Sequence, residues 1–140
     1  MSIPVNINEK VNTVSGNDER ILVCLSSSPY NQKVIDAAAG MAEAFHAALT
    51  AIYVKPANYD SVSERDRLRL QDNIRFAEQK GATIITVIGN DVPVQIAEYA
   101  HASGANKIVV GRSGAKKRHF WSPTTLTEQI ILNAPDADVF

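Results

Sequence analysis

Ser26, Ser27 and Ser28 follow the apolar run Ile21-Leu22-Val23-Cys24-Leu25, and Gly111, Arg112, Ser113 and Gly114 follow Lys107-Ile108-Val109-Val110. Both runs are short and apolar throughout from Ile21 and from Ile108, so each reads as a buried strand that empties into a small polar loop. Serine hydroxyls donate or accept hydrogen bonds, glycines let the backbone approach a ligand closely, and Arg112 brings a fixed positive charge suited to phosphate. In an open parallel sheet, ligands bind at the carboxyl ends of strands where the strand order reverses. Two such loops on adjacent central strands would therefore make one anion site.

Further residues point the same way. Lys116-Lys117-Arg118-His119 is the densest basic stretch of the chain, and Ser122, Thr124 and Thr125 stand at the start of the last expected helix. A helix N-terminus with free N–H groups and nearby hydroxyls attracts phosphate. Phe120 and Trp121 could stack an adenine or close the loop as a hydrophobic plug. Plain structural roles remain open for the same residues: the basic run as a solvated loop, and Ser122 with Pro123 as a helix cap.

Catalytic chemistry finds less support. A phosphoacceptor receiver would need acidic residues after the first strand, where the serines stand, and no glycine lies between Gly16 and Gly40 to make a dinucleotide-binding turn. No P-loop is present. His46, His101 and His119 lack metal-ligand spacing, and no serine, histidine and acid can be placed on neighbouring strand ends. The expectation is a binding domain, not an enzyme, with no metal and no cofactor.

The elements that must position these residues alternate regularly. Strands are expected at about 20–26, 49–55, 82–88, 107–111 and 137–140, all read as buried. The first helix carries Val34, Ala38, Met41 and Phe45 on one stripe, and the second carries Leu70, Ile74 and Ala77 before Gly81 ends it. Asn90 or Asp91 with Pro93 opens a third helix facing inward through Ile96, Tyr99 and Ala100; Ser122 with Pro123 opens a fourth that buries Leu126 and Ile130. This pattern, with right-handed crossovers, predicts an α/β fold: a doubly wound, flavodoxin-like parallel sheet of order 3-2-1-4-5 with helices on both faces.

The 140 residues, 45% hydrophobic and 21% charged, suit one domain at 20–140. Residues 1–19 read as a flexible tail or linker, and the last strand, ending at Phe140, reads as cut short. A formal net charge of -1 gives no general attraction to nucleic acid or an anionic membrane, so any pull on phosphate must be local. No apolar run approaches the roughly 20 residues of a membrane span. Cys24, the single cysteine, reads as a buried structural thiol, and the expected location is the cytoplasm.

The glycine spacing resembles the nucleotide motif of the universal stress protein family: two glycines three positions apart, followed after nine residues by Gly and then Ser or Thr. Gly111 and Gly114 match, Thr125 matches the hydroxyl position, Thr124 stands at the third glycine, and Ser26 stands where ATP-binding members commonly carry an acid. Glu19-Arg20-Ile21-Leu22-Val23-Cys24, Asn90-Asp91-Val92 and Lys107-Ile108-Val109-Val110-Gly111-Arg112 resemble, more closely, the universal stress protein-like domain of the KdpD family of sensor histidine kinases, over roughly residues 19–140. In some members that domain binds cyclic di-AMP through Ser-x-Ser followed, after twenty residues, by Phe-Thr-Ala-x-Tyr. This chain has Ser26-Ser27-Ser28, twenty residues, then Leu49-Thr50-Ala51-Ile52-Tyr53. The resemblance implies a nucleotide-sensing domain of a two-component system that controls potassium uptake, with cyclic di-AMP as ligand and the rest of a sensor kinase chain as partner. ATP as the ligand, a non-binding scaffold, and pairing with a second copy or with other stress proteins remain open alternatives.

Overall fold

The computed structural model describes residues 19–111, 126–134 and 137–140. The expected tail, apart from Glu19, therefore lies outside the described residues. Elements alternate as β1 (Arg20–Cys24), α1 (Asn31–Phe45), β2 (Ala48–Lys55), a 3-10 turn (Tyr59–Ser61), α2 (Glu64–Gln79), β3 (Thr83–Ile88), α3 (Val92–Ser103), β4 (Lys107–Val109), α4 (Leu126–Asn133) and β5 (Asp138–Val139). Every described pairing is parallel, and the five strands lie in the order 3-2-1-4-5 expected of a doubly wound, flavodoxin-like sheet.

The two faces of β1 explain why the run from Ile21 to Leu25 carries no polar residue. Ile21, Val23 and Leu25 pack against Ile35, Ala38 and Ala42 of α1 and Leu70 and Ala77 of α2, whereas Leu22 and Cys24 pack against Ile96 and Ala100 of α3 and Ile130 of α4. A central parallel strand is buried on both sides and so must be apolar at every position. Cys24 has no disulfide partner and is 9% exposed.

Three expectations shift. The inner stripe of α1 is Asn31, Ile35, Ala38 and Ala42; Val34 and Met41 flank it, and Phe45 is 43% exposed, its ring 4.9 Å from the Lys107 ammonium. The stripe rotates because a polar residue, Asn31, takes its first place. On α2 and α3 the expected Leu70, Ala77, Ile96 and Ala100 are buried, joined by Asn73 and Ala97, while Ile74 and Tyr99 are half-buried. Third, neither edge strand is buried: in β3 Thr83, Thr86 and Ile88 are exposed and Ile84, Ile85 and Val87 half-buried, and in β5 Asp138 is exposed and Val139 half-buried.

Helix ends follow local chemistry. The Ser63 hydroxyl caps α2 by accepting from Asp66 N–H, the Asp91 carboxylate does the same for α3 from Val94 N–H, and Gly81 (φ 91°) and Gly104 (φ 76°) take the left-handed turn at the exits of α2 and α3. At the amino edge of the sheet Glu19 forms a close ion pair with Lys107, whose hydrogen bond holds the Glu19 carboxyl below the usual carboxylate range.

Burial pushes the Cys24 thiol up to about 12. The folded protein is therefore expected to resist thiol-disulfide reagents at about pH 8 and to react once unfolded in urea. Because the unfolded thiol ionises near 9.0, its contribution to stability is intact below that pH and is lost as pH rises toward 12. A native thiol that titrates with reagent as fast as free cysteine would refute this burial.

Candidate functional site

The carboxyl end of β1 is built from side-chain amides. Leu25 N–H still bonds Ile52 C=O of β2 at 2.8 Å, but Cys24 C=O and Ser26 N–H, on the other side of the strand, are met by a side chain. Asn31 Nδ2 donates to Cys24 O at 3.1 Å, and its Oδ1 accepts from Ser26 N–H at 3.2 Å. Asn73, on α2, donates from Nδ2 to both Ser26 O (2.8 Å) and Ser28 O (3.1 Å), and Gln32 Nε2 donates to its Oδ1 at 3.4 Å. Both asparagines are buried, 3% and 2% exposed. Their burial is tolerated because their amide atoms are paired.

The serine hydroxyls are partly committed within the loop. Ser26 Oγ accepts from Ser28 N–H at 3.2 Å, and Ser28 Oγ accepts from Tyr30 N–H at 3.1 Å. A hydroxyl has one proton to donate and two lone pairs. Each hydroxyl accepts from one backbone N–H and keeps a proton to donate, so the loop offers two O–H groups and no carboxylate. Tyr30, immediately beyond, is 69% exposed.

Register places the second strand's residues. Cys24 lies opposite Ile52, so Tyr53 is beside Leu25 and reaches the level of the loop. Burial, and then the neighbouring Tyr59, push the Tyr53 phenol above its ordinary range, so its hydroxyl stays protonated. Leu49 and Thr50 are not brought to this edge. Thr50 lies opposite Leu22, four residues short of Ser26, which is about 13 Å along the strand. Both line an open cleft of about 790 Å³ at the other end of the sheet, between the last turns of α1 and α2. Ala51 is fully buried under α1 and α2.

On the other flank, Val109 pairs with Val23 and brings Gly111 beside the end of β1. A Cβ built on Gly111 would lie 3.0 Å from Val34 Cγ2. The β4 end thus packs closely against α1, and a methyl group there would ask the Val34 side chain to give by a few tenths of an ångström, independently of any ligand. Arg112, Ser113, Gly114, Trp121, Ser122, Thr124 and Thr125 lie outside the described residues. Sequence reasoning missed Asn31, Asn73 and Tyr30; only their polar or aromatic character at the first turn of one helix and on the inner stripe of another hinted at a role. Among the described residues, no cluster of His, Cys, Asp and Glu is arranged to hold a metal, and no helix is long and apolar enough to cross a membrane.

The sequence profile of the universal stress protein family matches residues 19–135. Among curated proteins, the chain is 35% identical over 101 residues to the sensor protein KdpD of Clostridium acetobutylicum, covering 72% of this chain and 11% of that protein. It is 26% identical over 120 residues to sensor protein KdpD of Escherichia coli, covering 86% of this chain and 13% of that one. The chain thus spans little more than a tenth of the length of these relatives. A universal stress protein in complex with cAMP superimposes with a TM-score of 0.64 at 20% identity, over 87% of this chain and 94% of that one. A universal stress protein from Archaeoglobus fulgidus in complex with dAMP gives 0.59 at 18% identity, over 87% and 95%. At those identities the likeness is one of fold.

Removing the Asn73 amide strands two loop carbonyls. Asn73→Ala is expected to lower stability by about 1–3 kcal/mol, read as a lower urea midpoint at unchanged slope. An unchanged midpoint would mean that the amide does not hold the loop. Gly111→Ala puts a methyl 3.0 Å from Val34 Cγ2, so its effect on the urea midpoint should be more favourable in a Val34→Ala background than in the wild-type chain; additive effects of the two changes would remove the packing explanation.

Proposed function

The chain belongs to the universal stress protein family, and from that premise we propose that it is a non-catalytic sensing domain whose serine loop binds cyclic di-AMP. The observation that carries this reading is the pair of Ser26 and Ser28 hydroxyls, each held by a backbone N–H on one lone pair and left with a proton to donate. A phosphodiester offers acceptor oxygens and a negative charge, and a neutral loop of donors receives it without like-charge repulsion.

Support for an adenine nucleotide comes from the related complexes with cAMP and dAMP. Support for the cyclic dinucleotide comes from Ser26-Ser27-Ser28 and Leu49-Thr50-Ala51-Ile52-Tyr53 at their twenty-residue separation. Within this proposal Tyr53 supplies an edge contact, Leu49 and Ala51 act through packing, and Gly111, Arg112, Ser113, Gly114, Trp121, Ser122, Thr124 and Thr125 complete the phosphate and base contacts from the second loop. Similarity to KdpD sensor proteins supports the downstream role: occupancy is passed to the remainder of a sensor histidine kinase that governs potassium uptake at the cytoplasmic side of the membrane.

Titration calorimetry with cyclic di-AMP, cyclic di-GMP and ATP tests the reading. Cyclic di-AMP is expected to bind and cyclic di-GMP not to, and Ser28→Ala should weaken binding roughly ten- to a hundredfold, the value of one hydrogen bond to a charged group. No heat from cyclic di-AMP at tens of micromolar protein would overturn the proposal; heat from ATP alone would make the domain an ATP-binding member of the family.

A further inference from the structure

Helix α2 enters from the carboxyl end of β2 through the turn at Tyr59–Ser61, so its first half stands over the same sheet edge as the serine loop. Asn73 fixes that placement, with Nδ2 on the carbonyls of Ser26 and Ser28. Arg69 is four residues earlier on the same stripe, hence about 6 Å further along the helix axis, beyond the loop and away from the core. It is half-buried. Among the described residues it makes no hydrogen bond, ion pair or ring contact, although Asp66 and Asp72 lie three positions to either side. Asp72 instead pairs with Arg75.

A partly buried arginine side chain usually finds a partner for its guanidinium, and Arg69 has none among the described residues. Lys55, level with Ser27 by extension of the β1–β2 register, is already engaged, its ammonium 4.5 Å from the Tyr59 ring centre, while Lys33 on the first turn of α1 and Arg65 on the first turn of α2 are exposed, and Arg67 is two residues, about 200° around the helix, from Arg69. Among the described residues Arg69 is the half-buried, unpaired cation on the stripe of Asn73, one helical turn beyond the residue that holds the serine loop.

We propose that Arg69 is the phosphate clamp of the serine loop: its guanidinium pairs with a phosphodiester whose other oxygens accept from Ser26 and Ser28. The assignment rests on the reading of the loop as a nucleotide site and adds to it a residue that no motif named. The planar fork of donors suits a phosphate bidentately, which a lysine cannot reproduce.

The test is calorimetric titration of cyclic di-AMP into the wild-type chain, Arg69→Gln, Arg69→Lys and Arg75→Gln, the last removing the same charge from an exposed position of the same helix. Arg69→Gln is expected to weaken binding roughly ten- to a hundredfold, Arg69→Lys to recover part of that, and Arg75→Gln to change it less than about twofold. Raising salt should weaken the wild type more steeply than Arg69→Gln. Melting temperature should be unchanged in Arg69→Gln, since no described partner is lost. Binding that persists in Arg69→Gln at the level of Arg75→Gln overturns the clamp alone, whereas a wild-type chain that binds no nucleotide overturns the site and the clamp together.

Discussion

The end of the central strand is the constraint on which the rest depends. A parallel sheet closes its backbone hydrogen bonds only while neighbouring strands continue, and β1 runs past the last paired residue of β4 at Val109. The carbonyl of Cys24 and the N–H of Ser26 must then be satisfied by something else or be buried at a penalty. Asn31 supplies both an acceptor and a donor, and Asn73 supplies donors to the two carbonyls that follow. A loop between a strand and a helix thereby becomes an ordered surface on which two serine hydroxyls each accept one backbone hydrogen bond.

That arrangement ties folding to the site. Asn73 sits between Leu70 and Ala77, residues that pack α2 on the sheet, so the contact that docks the helix also sets the loop. Asn31 stands first in the stripe that continues through Ile35, Ala38 and Ala42, so α1 is rotated to bring an amide, not a methyl group, to the strand end. Rotation of α1 also decides what lies against Gly111, because Val34 is turned toward the end of β4. One polar choice at the start of α1 is transmitted to the ends of both β1 and β4.

The layered order of the sheet was legible because apolar strands and apolar helix stripes have different periods, and each run here is long enough to show which it follows. The serines and Gly111 were legible as an edge because they interrupt apolar strands. Asn31 and Asn73 were not, since a polar residue on a helix reads as solvent-facing until its partner, an unpaired carbonyl on another element, is located. Exposure of β3 was hidden for a related reason: Thr83-Ile84-Ile85-Thr86-Val87-Ile88 has the composition of an interior strand, and only its place at the edge of the sheet leaves it half-covered. Phe45 was assigned inward by spacing alone, but the left-handed turn at His46 ends α1 there and leaves its ring on the rim beside Lys107.

Spacing between the serines and Leu49-Thr50-Ala51-Ile52-Tyr53 acquires a geometric meaning. After Ser28 the chain enters the 15-residue α1, about 22 Å of helix that carries it from the carboxyl edge of the sheet back to the amino edge. It must then climb β2 before it can meet the loop again. Leu49 and Thr50 are spent on that climb, Ala51 fits in the space under two helices, and Tyr53 is beside Leu25 when the strand arrives. The separation is therefore set by one crossover helix and half a strand, and the small residue in the middle by how closely α1 and α2 approach. Of the five residues only Tyr53 stands at the level of the serine loop, and the first four govern where it stands.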